Sequence, residues 1–400
     1  MTVSRRSFLA GAATSALARP LSLSSMTSQV PNATERFDPW LEIEPAALRY
    51  NVSVVSRLSG GRPIMAVIKN NAYGLGLATV AAVLEDLPEI MGFAVVKTDA
   101  AIALRDAGIR KPVLLMGLFS DADGAELVAR DVDLILGTDD SGERAARAAR
   151  RAGRPARVHV YLDTGMSRMG IPYHRALPWL ERVAPLGLDV RSTFMGFTEE
   201  AEFDREQLRR FNEVTGAAKE RGFQLGALHA ASSHGVYHLP AAHLDLVRPG
   251  IAIYGAYPSD AVSERAIAEL RPAVRLRARV VRVERLRAGD SVSYGREYTA
   301  DRATWIATVP VGHTDGYPRQ AVDGARILIN ERLYPVIGAV SASHTIVEVG
   351  VERSVDIGDL ATLTGPDHPD IHPNAIAEAT GTSVYDILMH LNPVLPKVVV

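Results

Sequence analysis

The segment MAVIKNNAYGLG (65–76) sets a lysine, Lys69, at the end of an apolar run and directly ahead of a polar, glycine-bearing turn. An ammonium group there is costly to bury unless it is paired, neutralised or used. Burial lowers a lysine's pKa and exposes the free amine, the species that condenses with an aldehyde. Taken alone, Lys69 is equally well read as a side chain that snorkels to a rim with no chemical role. Other segments carry matching parts. LDTGMSRMG (162–170) leads from Asp163 through a turn at Gly165 to Arg168. HAASSHG (229–235) offers the hydroxyls of Ser232 and Ser233, suited to a phosphate. VRPGIAIYG (247–255) presents Arg248 and then Gly250, whose backbone N–H can approach an anion closely. Each signal is weak by itself. Together they make a phosphate cup, two cations and an amine, and no Walker-type or G-x-G-x-x-G sequence competes with them.

These residues need a scaffold that brings them to one place. PIMAVIK (63–69), IMGFAVV (90–96), KPVLLMG (111–117), VDLILG (132–137), RVHVYLD (157–163), DVRSTFMGF (189–197), ALHAASS (227–233) and LDLVRPGIAIYG (244–255) read as strands. Helical patterns lie between them at 78–87, 98–108, 141–153 and 203–222. About eight strand–helix units over roughly 230 residues predict a (β/α)8 TIM barrel, in which chemistry sits where strands end. A doubly wound sheet fits the same pattern. Near residue 270 the pattern changes to short, turn-bounded strands, beginning with VRLRARVVRVERL (274–286), which predicts a C-terminal all-β domain. The division is therefore a leader at 1–36, a barrel at 37–268 and a β domain at 269–400. WLEIE (40–44) alternates and fits either of the last two.

Composition narrows the classes. A net charge of −2 gives no argument for a nucleic-acid or basic membrane-binding face. With no cysteine there are no disulfides, thiolate metal sites or cysteine nucleophiles, and nothing else in the sequence calls for a metal. The N-terminus, MTVSRRSFLAGAATSALARP, carries adjacent Arg5 and Arg6, a mildly apolar run and a small-x-small Ala16-Leu17-Ala18. It resembles a twin-arginine export signal, too short and too weakly apolar to span a membrane. A periplasmic or extracellular location is expected, with a basic leader on a cytoplasmic protein as the alternative.

In order along the chain, AVIKNNAYGLG, LDTGMSRMG, LVRPGIAIYG, VSYGREYTA and VGHTDGYPR resemble the motifs of alanine racemase. The resemblance spans 37–400 and implies a pyridoxal-phosphate barrel followed by a β domain, working as a homodimer whose active sites borrow loops from the partner chain. By position, Lys69 matches the lysine that holds the cofactor and acts as one of two bases. Tyr73 and Ser233, with the backbone at Gly250 and Ile251, match the phosphate ligands. Arg248 matches the arginine facing the pyridine nitrogen, and Arg168 the one near the cofactor's phenolate and the substrate carboxylate.

The departures gather on the opposite face of the cofactor. His313 stands where the family has its second base, a tyrosine, and Gly196 where it has the histidine that orients that tyrosine. Ala342, followed by Ser343 and His344, replaces the methionine whose backbone meets the substrate carboxylate. Val399 replaces a phosphate-binding tyrosine. Histidine is a competent base near neutral pH, so His313 is read as the second base. The function implied is an amino-acid racemase. A pyridoxal-phosphate aldolase or transaldolase on β-hydroxy or α-branched amino acids is the alternative enzyme, and a non-catalytic pyridoxal-phosphate-binding protein the alternative class.

Overall fold

The computed structural model describes residues 33–259 and 261–400. Arg5, Arg6 and the Ala16-Leu17-Ala18 site lie outside the described residues. Strand β1 (Trp40–Ile43) comes first and is followed by the helix Pro45–Leu58. Then β2 (Ile64–Val67), β3 (Ile90–Val95), β4 (Val113–Leu115), β5 (Val132–Leu136), β6 (Arg157–Asp163), β7 (Ile171–Pro172), β8 (Asp189–Phe194) and β9 (Ala227–His229) alternate with helices. The parallel order is β2-β3-β4-β5-β6-β8-β9, with β7 a side branch on β6. Several of these strands, β2, β4 and β5 among them, are buried throughout, as parallel strands covered on both faces must be.

The ring closes at Val247, which bridges Ile64 in parallel. The Met65 and Val67 N–H groups donate to the carbonyls of Val247 and Pro249, each at 2.9 Å. The long strand expected over 244–255 is reduced to this bridge. Pro249 has no N–H to donate to a ladder, and the backbone at Gly250 (φ −119°, ψ −89°) leaves the extended region for a 3₁₀ turn, Ile251–Tyr254.

The second part is a nine-stranded sheet, β11-β14-β17-β16-β15-β18-β10-β1-β19. Its strands are β10 (Val274–Arg279), β11 (Arg282–Leu286), β14 (Thr304–Val309), β15 (Arg326–Ile329), β16 (Arg332–Ile337), β17 (Thr345–Gly350), β18 (Leu360–Thr364) and β19 (Lys397–Val399), joined by β1. A small ribbon of β12 (Ser291–Val292) and β13 (Tyr298–Thr299) lies apart. The alternating WLEIE segment thus pairs with β10 antiparallel and with β19 in parallel. This C-terminal β region also carries two short helices. Helices Pro373–Ala379 and Val384–Met389 interrupt it, their first turns capped by the side chains of His372 and Ser383. Ile376, Ala377, Val384, Ile387 and Leu388 recur at helical spacing and are buried. Among the described residues no helix is long and apolar enough to cross a membrane.

One side chain locks the first helix to the chain that leaves the barrel. Buried Asn51 donates to the carbonyls of Ile253 (3.0 Å) and Arg271 (2.8 Å) and accepts from the Arg271 N–H (2.9 Å). Asn51→Ala leaves these backbone groups without partners, at a cost of about 2–3 kcal/mol. Urea unfolding is expected to show a lower midpoint at an unchanged slope.

Candidate active site

Lys69 follows β2 after one residue, Ile68, and the turn it opens is unusual. Asn70, Asn71, Ala72 and Tyr73 all have left-handed backbone, with φ between 52° and 55°. Asparagine tolerates this conformation; alanine and tyrosine do so at roughly 1–2 kcal/mol each. Local bonds hold the turn. Ala72 N–H donates to Ile68 (3.1 Å), and Asn71 Oδ1 accepts from the N–H of Leu77 (2.9 Å). The result sets Lys69 and Tyr73 side by side, with the amine 6.0 Å from the centre of the phenol ring.

Lys69, Tyr73, Arg168, Ser233, Arg248, Gly250 and Ile251 all line one cavity of about 380 Å³ at the C-terminal ends of the barrel strands. Burial lowers the Lys69 amine from its ordinary range; the Arg168 guanidinium adds to this and the Glu199 carboxylate opposes it. Burial also holds the Tyr73 phenol well above its usual value, so the hydroxyl remains a donor. Tyr73 stacks on Tyr254 with ring centres 4.5 Å apart, and Gly250 passes beneath its hydroxyl. A Cβ at Gly250 would lie 2.2 Å from the Tyr73 oxygen. Ser233 Oγ accepts from the N–H groups of Gly250 (3.0 Å) and Ala252 (3.2 Å), which leaves its own proton to donate. The neighbouring Ser232 Oγ also lines the cavity and is buried without a hydrogen-bond partner.

Arg248 is buried at the other end. It donates to His229 Nδ1 (2.5 Å) and to the carbonyl of Met195 (2.6 Å). Burial pushes its guanidinium down to about 10, still charged at neutral pH. His229 is held well below its ordinary value by burial first, then by the Arg248 charge. It is therefore neutral, and its Nδ1 is free to accept. The parts fit a phosphorylated aromatic aldehyde: a lowered amine for the aldehyde, an unspent serine hydroxyl with Ser233 and Tyr73 for the phosphate, and a fixed guanidinium at the far side.

The chain from 43 to 258 matches the description "Alanine racemase, N-terminal domain", and 273–399 matches "Alanine racemase, C-terminal domain". The chain belongs to the alanine racemase family. It is 33% identical over 366 residues to the alanine racemase of Desulforamulus reducens, covering 90% of this chain and 98% of that one. The alanine racemase of Carboxydothermus hydrogenoformans is 35% identical over 368 residues, covering 90% and 99%. Among solved structures, the alanine racemase of D-cycloserine-producing Streptomyces lavendulae superposes with a TM-score of 0.86 at 28% identity, covering 91% of this chain and 97% of that one.

Within this alanine racemase-family chain, His313 and Ala342 lie elsewhere. They pack together, with His313 N–H donating to Ser341 (3.0 Å) and Thr314 N–H to Ala342 (3.1 Å). His313 lines a separate cavity of about 310 Å³ with Tyr317, Asp386 and His390, and Arg319 donates to its Nε2 at 2.6 Å. Gly196 lines the Lys69 cavity. Val399 sits exposed on β19. A different C-terminal tyrosine, Tyr385 of the helix Val384–Met389, reaches the Lys69 cavity, its ring 6.3 Å from that of Tyr73. The sequence reading missed it because it assigned no helix there, although Ser383 ahead of an apolar i, i+3, i+4 pattern was a usable signal. Glu199 was missed as well. It lines the cavity with a left-handed backbone (φ 66°), its N–H held by Asp204 at 3.0 Å.

Gly250→Ala is expected to fold, because the new methyl meets only the Tyr73 hydroxyl end. With Tyr73 pinned against Tyr254, the clash falls on the end of the cavity that holds the Tyr73 and Ser233 hydroxyls. Affinity for pyridoxal phosphate, followed by fluorescence titration, should drop about 10-fold or more, with the far-UV circular dichroism unchanged.

Proposed function

We propose that this protein is a pyridoxal 5′-phosphate-dependent amino-acid racemase that works as a homodimer with shared active sites. The observation that carries the reading is the convergence of Lys69, Tyr73, Arg168, Ser233 and Arg248 on one cavity in a chain of the alanine racemase family. When bound, the cofactor withdraws electron density from the substrate's α-carbon and so makes its proton acidic. Lys69 is the residue that holds the aldehyde carbon. Tyr73, Ser232 and Ser233 hold the phosphate by O–H donation. Arg248, whose guanidinium keeps its proton, would meet the ring nitrogen as a donor only, which would temper the electron sink and favour proton return over side reactions.

Two bases on opposite faces are needed to invert a stereocentre. Lys69 Nζ, lowered toward its neutral form by burial, takes or returns the α-proton on one face. Among the described residues no histidine lines the Lys69 cavity. By resemblance to the family's motifs the second base is assigned to the partner's His313, with Arg168 and the backbone at the partner's Ala342 receiving the substrate carboxylate. Alanine is the first substrate to try, since the relatives are named for it.

Proton NMR in D₂O tests this. The wild type should exchange the α-proton of both enantiomers of alanine and release no aldehyde from β-hydroxy amino acids; aldehyde release without inversion defeats the racemase reading. Lys69→Ala should lose all exchange. His313→Ala should lose inversion by about 10²- to 10⁴-fold and retain exchange with one enantiomer only. Mixing the two inactive variants should restore about a quarter of wild-type activity by random assortment of subunits. No recovery from a mixed dimer rules out sharing of the site.

We also propose export by the twin-arginine route, because Arg5 and Arg6 precede a mildly apolar run and a small-x-small site and a cofactor-bearing cargo is folded before transport. A reporter fused to residues 1–36 should be exported, and replacing both arginines by lysine should stop it. Unchanged export overturns the assignment.

A further inference from the structure

Arg248 is the end of a longer arrangement. His229, which accepts from Arg248 on Nδ1, contacts Ser192 Oγ through Nε2 at 2.7 Å. Ser192 Oγ contacts His159 Nδ1, and His159 Nε2 lies 3.1 Å from Asp133 Oδ2. The other oxygen, Asp133 Oδ1, accepts from Arg157 Nε at 2.6 Å. Asp133, His159, Ser192 and His229 are each at most 3% exposed. They sit on β5, β6, β8 and β9, and the sequence climbs from the second residue of β5 to the last of β9. It therefore crosses the barrel from near the N-terminal mouth, where Arg157 is 31% exposed, to the floor of the Lys69 cavity.

Counting protons gives this chain one direction. A guanidinium only donates, so His229 Nδ1 accepts and His229 Nε2 carries the hydrogen. Ser192 accepts that hydrogen and has one of its own, which goes to His159 Nδ1. His159 is then protonated on Nε2 and donates to Asp133, which as a carboxylate only accepts. The Asp133 carboxyl stays ionised: burial alone would raise it, but the His159 and Arg157 contacts outweigh burial and hold it below the usual range. With His159 carrying a single proton, a donor-only residue at one end and an acceptor-only residue at the other leave one assignment.

We propose that Asp133, His159 and Ser192 are positioning residues for the cofactor end of the site: a one-way hydrogen-bond chain that fixes His229 as an acceptor and so holds Arg248 aimed into the cavity. For the cofactor this rests on the pyridoxal-phosphate reading above. For the tautomers it does not.

The test is Asp133→Asn. Arg157 keeps the amide oxygen, so the NH₂ group turns to His159 Nε2 and donates. His159 then carries its hydrogen on Nδ1, Ser192 turns, and His229 is driven to protonate Nδ1, against the Arg248 donor. Nitrogen-15 NMR of histidine-labelled protein without cofactor separates protonated from bare ring nitrogens. The expected result is a change of His229 tautomer in Asp133→Asn, with affinity for pyridoxal phosphate about 10- to 100-fold weaker. In a Ser192→Ala background the same substitution should leave His229 unmoved, because the link is cut. Should Asp133→Asn fail to fold, Ser192→Ala alone is read instead: the His229 Nε2 proton loses its acceptor and its resonance shifts, while Nδ1 stays bare. A His229 tautomer indifferent to Asp133→Asn, a change that persists without Ser192, or an Nε2 proton unmoved by Ser192→Ala overturns the proposal. A wild type that shows the one-way tautomers but does not bind pyridoxal phosphate defeats the cofactor reading alone.

Discussion

The left-handed turn after Lys69 is the constraint on which the site depends. Four successive L-residues with positive φ are a local penalty that persists only where the surroundings over-determine it. Those surroundings come from both parts of the molecule. Tyr254 of the barrel stacks on Tyr73. From the C-terminal part, the helix Val384–Met389 lies against the turn: Asn70 Nδ2 is 3.1 Å from Met389 Sδ. A Cβ at Gly74, which closes the turn at φ 90°, would meet the Leu388 carbonyl oxygen at 2.5 Å. The helix that clamps the turn also brings Tyr385 to the cavity. Strain beside the lysine and the second domain's contribution to the pocket are thus one packing arrangement.

Much of this was legible locally. Apolar runs ended by glycine or asparagine identify parallel strands, and in a barrel a strand end is an address: Lys69, Arg168 and Ser233 follow three strands, Arg248 follows the Val247 bridge, and all meet in one cavity. What was not legible depends on contacts remote in sequence. Tyr385 enters the cavity from more than three hundred residues beyond Lys69, on a short helix within a region otherwise rich in strands. The bridge at Val247 could not be told from a full strand, because an apolar run does not reveal where Pro249 and Gly250 break the ladder. His229 sits inside the HAASSHG motif, yet its role is set by Arg248, Ser192 and, through them, strands whose interior polar residues have no motif of their own.

Those interior residues run against the usual composition of a barrel core. Burying Asp133, His159, Ser192 and Arg248 costs solvation that apolar side chains would not, and it is tolerable because each contact is matched, donor to acceptor, along the whole line. Phe194 completes the shielding, stacked on His229 with ring centres 5.1 Å apart and lying 4.7 Å from the Arg248 guanidinium carbon. A guanidinium surrounded this way cannot rotate to find another partner.

The cavity's charges follow a related logic. Lys69 and Glu199 line the same space. At their ordinary pKa values they would be an ammonium and a carboxylate, and an ion pair would consume the amine. Burial moves them in opposite directions, the Lys69 amine down and the Glu199 carboxyl up, with the His234 imidazole opposing the rise at Glu199. Each shift favours the neutral form and weakens the pair. Arg168 and Arg248 keep their charge by chemistry rather than by environment. An anionic ligand therefore finds fixed cations to meet it, beside an amine that the same burial shifts toward the neutral form in which it acts as nucleophile or base.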